Sequence, residues 1–142
     1  MLREAACFLM LCFVLSGTTL VAEEKEKDRN KVAIAAAEKW LRIVDEEKYA
    51  ESWQETAELF KRSVTADQWR QALDGTRKPL GKQIARKFKK SSYVTSVPGG
   101  PDGQYVMIEF AASFENKKTA IETVTPMLEK DGVWRVAGYY IK

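Results

Sequence analysis

With no histidine among 142 residues, acid–base chemistry in this chain falls to carboxylates, hydroxyls, lysines and arginines. Glu109, Glu122 and Arg135, with Tyr105, Tyr139 and Tyr140, are the polar side chains best placed to face a pocket or a sheet surface. A carboxylate that moves a proton, beside a tyrosine that holds the developing oxyanion, is the minimal outfit of an isomerase or small hydrolase. Glu109 or Glu122 with a tyrosine supplies such a pair. The competing reading is structural: opposite charges on neighbouring strands form cross-strand pairs, and a tyrosine buries its ring while keeping its hydroxyl bonded. No catalytic residue is therefore assigned, and Glu109, Glu122, Arg135, Tyr105 and Tyr140 are expected as the lining of a ligand pocket.

Other chemistries are closed. Without histidine there is no Ser-His-Asp or Cys-His catalysis and no His-ligated zinc. Both cysteines, Cys7 and Cys12, lie in an N-terminal segment with the pattern of a secretory signal: Arg3, an apolar run from Ala5 to Leu15, then small residues up to Ala22. The run falls short of the roughly 20 residues of a membrane span. Cleavage after Ala22 is expected, with an uncleaved anchor as the alternative and lipoprotein processing at Cys12 disfavoured by Met10-Leu11 before it. The trimmed chain then has neither disulfides nor thiolate chemistry. The 98–103 segment lacks the Gly-Lys-Ser/Thr ending of a phosphate loop, and Asp102 alone cannot supply calcium's six to eight oxygens. No cofactor and no metal are expected.

Net charge is +3, unevenly spread. From Gly75 to Pro101 there is no acid, while Arg77, Lys78, Lys82, Arg86, Lys87, Lys89 and Lys90 all occur. This reads as a solvated strand whose lysines discourage edge pairing, or as a surface for anionic partners such as lipid headgroups. Nucleic acid is not expected, since no recognition motif accompanies the charge.

These residues must be held by elements. Glu23 to Asn30 is expected as a flexible charged lead-in, with Asp28 or Asn30 capping the helix beyond. Ala33, Ala36, Ala37, Trp40, Leu41 and Val44 recur at helical spacing. Tyr49, Trp53, Ala57 and Phe60 mark a second helix. Thr65 to Gln68 fits a capping box for a third, which buries Trp69, Ala72 and Leu73 and stops at Gly75. Beyond Pro79 the period becomes alternating. Ile84, Phe88 and Val94 mark a first strand, with Arg86 and Lys90 in phase. In the second, Val106, Ile108, Phe110, Ala112 and Phe114 share one face. Pro126 places an edge or a bulge in the third, Ile121 to Leu128. Asp131-Gly132 is a hairpin turn, and the last strand turns Trp134, Val136 and Tyr140 to one side. Trp40, Trp53, Trp69 and Trp134 are expected in the core. The result is an α+β class: three N-terminal helices on one face of a four-stranded, curved, cone-like antiparallel sheet. The expected boundaries are 1–22 signal, 23–30 lead-in and 31–142 a single domain.

Several motifs resemble one family. Trp40-Leu41, Val44-Asp45, Tyr49-Ala50 and Ser52-Trp53 are similar to the helical half of the exported bacterial proteins termed domain of unknown function 4019. Pro79-Leu80-Gly81, the run from Pro98 to Val106, Ser113 to Lys118, Glu122 to Pro126 and Asp131 to Lys142 are similar to its second half. The resemblance implies export in a Gram-negative bacterium and no assigned activity. It also implies a glycine in the turn between the first two helices, where this chain has Glu46-Glu47. The order of elements is further similar, at fold level, to the cone-shaped nuclear transport factor-like superfamily, whose members include isomerases, dehydratases and binding modules. The expectation is a periplasmic or secreted non-enzymatic domain that binds a small molecule or an envelope protein. The alternatives are a carboxylate-and-tyrosine hydrolase or isomerase, and a protein in weak contact with anionic membrane surfaces through the 77–90 stretch.

Overall fold

The computed structural model describes residues 17–142, so the first sixteen residues of the expected signal segment lie outside it. Helix α1 (Gly17–Asp45) is followed by α2 (Tyr49–Gln54), α3 (Glu58–Ser63), α4 (Ala66–Thr76) and a short 3-10 turn at Lys78–Leu80. Four strands come next: β1 (Gln83–Val94), β2 (Tyr105–Phe114), β3 (Lys117–Leu128) and β4 (Trp134–Ile141). They form one antiparallel sheet in the order β1-β2-β3-β4. The architecture is α+β, with the helices ahead of the sheet in sequence.

Residues 23–30, expected as a lead-in, are helical: α1 runs through them without a break at Asp28 or Asn30. Glutamate and lysine are strong helix formers, and Glu23 and Lys27 stand four apart in the favourable order. The buried stripe is Ala33, Ala37, Trp40, Leu41 and Val44. Among the described residues no helix is long and apolar enough to cross a membrane.

Helix α1 ends in a Schellman turn, with Lys48 N–H donating to Ile43 O at 3.2 Å and Glu47 N–H to Val44 O at 3.0 Å. The left-handed residue of this turn is Glu47, at φ 60°. That is the conformation for which a glycine is favoured, so the family resemblance pointed at the right place and a glutamate carries the strain.

The expected second helix is two. Between α2 and α3 the backbone stretches out so that Ala57 N–H donates to Val136 O at 2.8 Å, and Thr56 bridges β4. Docking on the free edge of β4 outweighs helical continuity there. Helix α4 has the expected capping box, Thr65 Oγ1 accepting from Gln68 N–H at 3.2 Å and Gln68 Oε1 from Thr65 N–H at 3.0 Å. It passes Gly75 by one residue and gives way before Pro79, whose ring disfavours a helical residue ahead of it.

Pro126 sits in β3, an inner strand, and marks a bulge: the register with β4 shifts between Thr125 and Pro126, leaving Ala137 unpaired. An extra residue in one strand reverses its alternation. Trp134 and Val136 face the helices as expected, but beyond the bulge it is Tyr139 that turns inward, and Tyr140 is 61% exposed on the other side. A second shift, at Phe88/Lys90 in β1, similarly divides that strand.

The helices and the inner face of the sheet enclose Trp40, Leu41, Val44, Phe60, Trp69, Leu73, Val106, Ile108, Phe110, Val124, Trp134 and Val136. Trp40, Trp69, Trp134 and part of Trp53 are core, as expected. Trp69 meets Phe60 edge-on at 5.1 Å and Tyr139 at 6.2 Å, while Trp40 meets Tyr139 at 5.5 Å. The indole N–H groups are satisfied: Trp40 donates to Ser52 O at 2.8 Å and Trp69 to Ser52 Oγ at 3.0 Å. Aromatic rings thus fill the space between the helices and the sheet.

Candidate functional site

Titratable groups converge at the end of this core opposite Trp134. Asp45 comes from the last residue of α1, Arg77 from the residue after α4, Arg86 from β1, Glu122 from β3 and Tyr139 from β4. Arg86 joins them. Its Nη1 and Nη2 donate to Asp45 Oδ2 and Oδ1 at 2.7 and 2.9 Å, a two-pronged pairing, and its Nε donates to Glu122 Oε1 at 2.7 Å. Arg77 Nη2 also donates to Asp45 Oδ1, with its guanidinium 4.4 Å above the Phe114 ring. Tyr139 closes the set, its hydroxyl donating to Glu122 Oε2 at 2.6 Å.

Two cations here face two anions, and both oxygens of each carboxyl are occupied. Glu122 is fully buried. Burial works against the charge on Arg86, but its hydrogen bonds to Asp45 and Glu122 and their negative charges outweigh it and raise its pKa. Burial first, then the charge and hydrogen bond of Glu122, push the Tyr139 hydroxyl above its ordinary value, so it stays protonated and donating. A general base needs a lone pair in reach of substrate. Among the described residues, Asp45 and Arg77 line a cavity of about 270 Å³, whereas Glu122 has no solvent exposure. The arrangement ties α1, β1, β3 and β4 together, and each of its four carboxyl oxygens already accepts a hydrogen bond. Only Arg77 Nε is buried there without a partner.

The expected pocket residues do not assemble. Glu109 lies on the outer face of the sheet, 3.5 Å from Lys90 and 3.9 Å from Lys89. Arg135 is held at the last hairpin by Glu129 at 2.9 Å and Asp131 at 2.8 Å. Tyr105 is buried under the segment that follows β1, its hydroxyl donating to Pro101 O at 2.6 Å, and Tyr140 is exposed. Only Glu122 enters the buried cluster. Among the seven expected surface cations, Arg77 is 4% exposed and Arg86 is mostly buried, both spent on Asp45 and Glu122. Lys78, Lys82, Lys87, Lys89 and Lys90 remain at the surface. Asp45 was missed because it reads as part of a charged turn. Tyr139, named beside Tyr140 but left out of the expected lining, could have been preferred from Pro126: a bulge opposite β4 implies a change of phase there.

Among the described residues, no group of three or more His, Cys, Asp and Glu side chains could hold a metal. The 3-10 turn at Lys78–Leu80 follows Arg77 directly and ends at Gly81, which has φ 74° and where a Cβ would lie 2.9 Å from Cβ of Glu115.

Fold and site together describe a small α+β domain clamped by an internal ion network. The chain belongs to the family described as "Protein of unknown function (DUF4019)", whose profile matches residues 36–139. That span contains all five residues of the network. Comparison with curated proteins and with solved structures gives no match.

Proposed function

We infer that this chain is an exported, periplasmic, non-enzymatic domain that acts by binding a small ligand or an envelope protein. The observation that carries this reading is the saturation of Glu122, the one acid fully buried among the described residues, and of its partly buried neighbour Asp45: both are bonded on both oxygens by Arg77, Arg86 and Tyr139. The chain from Glu23 onward also has neither Cys nor His, which leaves holding as the chemistry best supported. The run from Ala5 to Ala22 supports export and removal of the leader.

The test is intact and native mass spectrometry of the protein extracted from periplasm. The expected result is a chain that starts at Glu23 and carries a bound molecule or partner. A retained leader, or turnover by the metal-free protein that disappears in a folded Glu122→Gln variant, overturns the reading.

A second reading, association with anionic envelope surfaces, draws on the free edge strand β1. There Lys82, Lys87, Lys89 and Lys90 are exposed beside Ile84 and Phe88, 64% and 47% exposed. Binding to phosphatidylglycerol vesicles that falls steeply with salt would favour it.

A further inference from the structure

The segment between β1 and β2 crosses toward α3 over the outer face of the sheet. Its Gly103 N–H donates to Thr95 O at 2.9 Å and its Pro101 O receives the Tyr105 hydroxyl. A Cβ placed on Gly100 would lie 3.4 Å from that hydroxyl and 3.7 Å from Leu59 of α3. Beneath this strap is a cavity of about 290 Å³, with apolar walls that include Leu59, Phe60, Val97 and Met107. The four other cavities are all lined in part by charged side chains; this one has none.

Ser63, Tyr105 and Thr125 add uncharged polar groups to the lining, and part of the remainder is bare backbone. Gly99 and Gly100 line it from the strap and Gly138 from β4. Cβ atoms built on Gly99 and Gly138 would meet nothing closer than 3.8 Å, so the space beside these glycines is open. A flat ring can lie against peptide backbone that lacks a side chain, and a phenylalanine edge and a methionine sulfur both favour an aromatic neighbour. The volume falls just below the roughly 300–1,000 Å³ of ligand sites, which suits one or two fused rings.

We propose that the cavity between the 97–100 strap, α3 and the outer face at Gly138 is a binding site for a small uncharged aromatic molecule. This rests on the binding reading above and gives it a place and a ligand class. The Pro98-Gly99-Gly100 motif then has a role beyond a turn: it supplies a side-chain-free wall.

The experiment is a titration of the full chain with indole, followed by proton–nitrogen correlation NMR, with 1-hexanol as the apolar chain of comparable size. Saturable shifts of the Gly99, Gly100 and Gly138 amides are expected with indole, and affinity at least about tenfold weaker with 1-hexanol. Gly138→Leu fills the cavity from a position where a Cβ has room, and should abolish the indole response while the remaining spectrum is kept. Thr125→Leu, on the strand beside it, is a second filling variant should the first misfold. Indole shifts located elsewhere, surviving in a folded filled variant, or matched by 1-hexanol overturn the proposal. A protein that carries a partner from the periplasm yet ignores indole overturns the cavity alone, whereas turnover lost in Glu122→Gln overturns the binding reading beneath it.

Discussion

Adjacent residues of β3 meet opposite surroundings. Glu122 faces the helices, has no solvent exposure and is gripped by Arg86 and Tyr139. Thr123, next to it, lies in an outer row between Glu109 and Tyr140. Each face has a glutamate and a tyrosine, but only the inner pair touch. Glu109 has two lysines at 3.5 and 3.9 Å, in a half-exposed setting where such pairs contribute about 0–1 kcal/mol. The inner network is mostly buried, with Glu122 wholly so, and losing a partner there leaves a charge poorly compensated. The inner face therefore uses its polar groups to define one arrangement of α1, α4, β1, β3 and β4. The outer face keeps its polar groups solvated and leaves a cavity.

The largest test of this contrast is Arg86→Ala, which takes from Glu122 its cation and from Asp45 one of its two. It should lower unfolding stability by about 3–5 kcal/mol in urea titrations. Replacing the pair together, Arg86→Met with Glu122→Leu, should cost less than the two single changes summed. An Arg86→Ala loss no larger than that of Lys90→Ala would break the comparison, because it would make the inner pair behave like a surface one.

Tyr139→Phe keeps the ring against Trp40 and Trp69 and removes one donor to Glu122, so a loss of about 1–3 kcal/mol is expected. Tyr140→Phe on the outer face should change stability by less than about 0.5 kcal/mol. The same residue gives a pH dependence. The Tyr139 pKa is raised above its usual 10.0 in the folded protein, so the folded state keeps a proton that the unfolded chain releases. That contribution is complete below pH 10 and is lost as pH climbs through the folded value. Stability should therefore decline above pH 10, and Tyr139→Phe should flatten part of the decline in alkaline denaturation curves.

Smaller effects sharpen the picture. Glu47→Gly relieves the left-handed residue that ends α1 beside Asp45, and should stabilise the fold by about 1 kcal/mol in thermal melts. Gly138→Leu on the outer face should stay within about 0.5 kcal/mol of the parent. A severe loss there would mean that the outer cavity is part of the core.

Local pattern was legible where one element decides it. The α1 stripe, the Thr65 capping box, the inner face of β2 and the bulge at Pro126 all follow from spacing and from the chemistry of single residues. Errors gathered where two elements meet. The break between α2 and α3 depends on the edge of β4, which lends its Val136 carbonyl to Ala57. The choice of Tyr139 over Tyr140 depends on how β4 pairs with β3. Arg77 and Arg86 looked like surface charge because a sequence shows the sign of a residue and not the carboxyl that will meet it.

Taken alone, the chain determined its class, its helical and strand periods, and the closure of imidazole chemistry. Those properties reside in residue type and short-range spacing. Which carboxyl meets which guanidinium, which tyrosine turns inward, and that three glycines from two distant segments border one cavity were decided only on folding. Such contacts join residues dozens of positions apart, and their geometry is set by strand register and by the one-residue bulges that shift it.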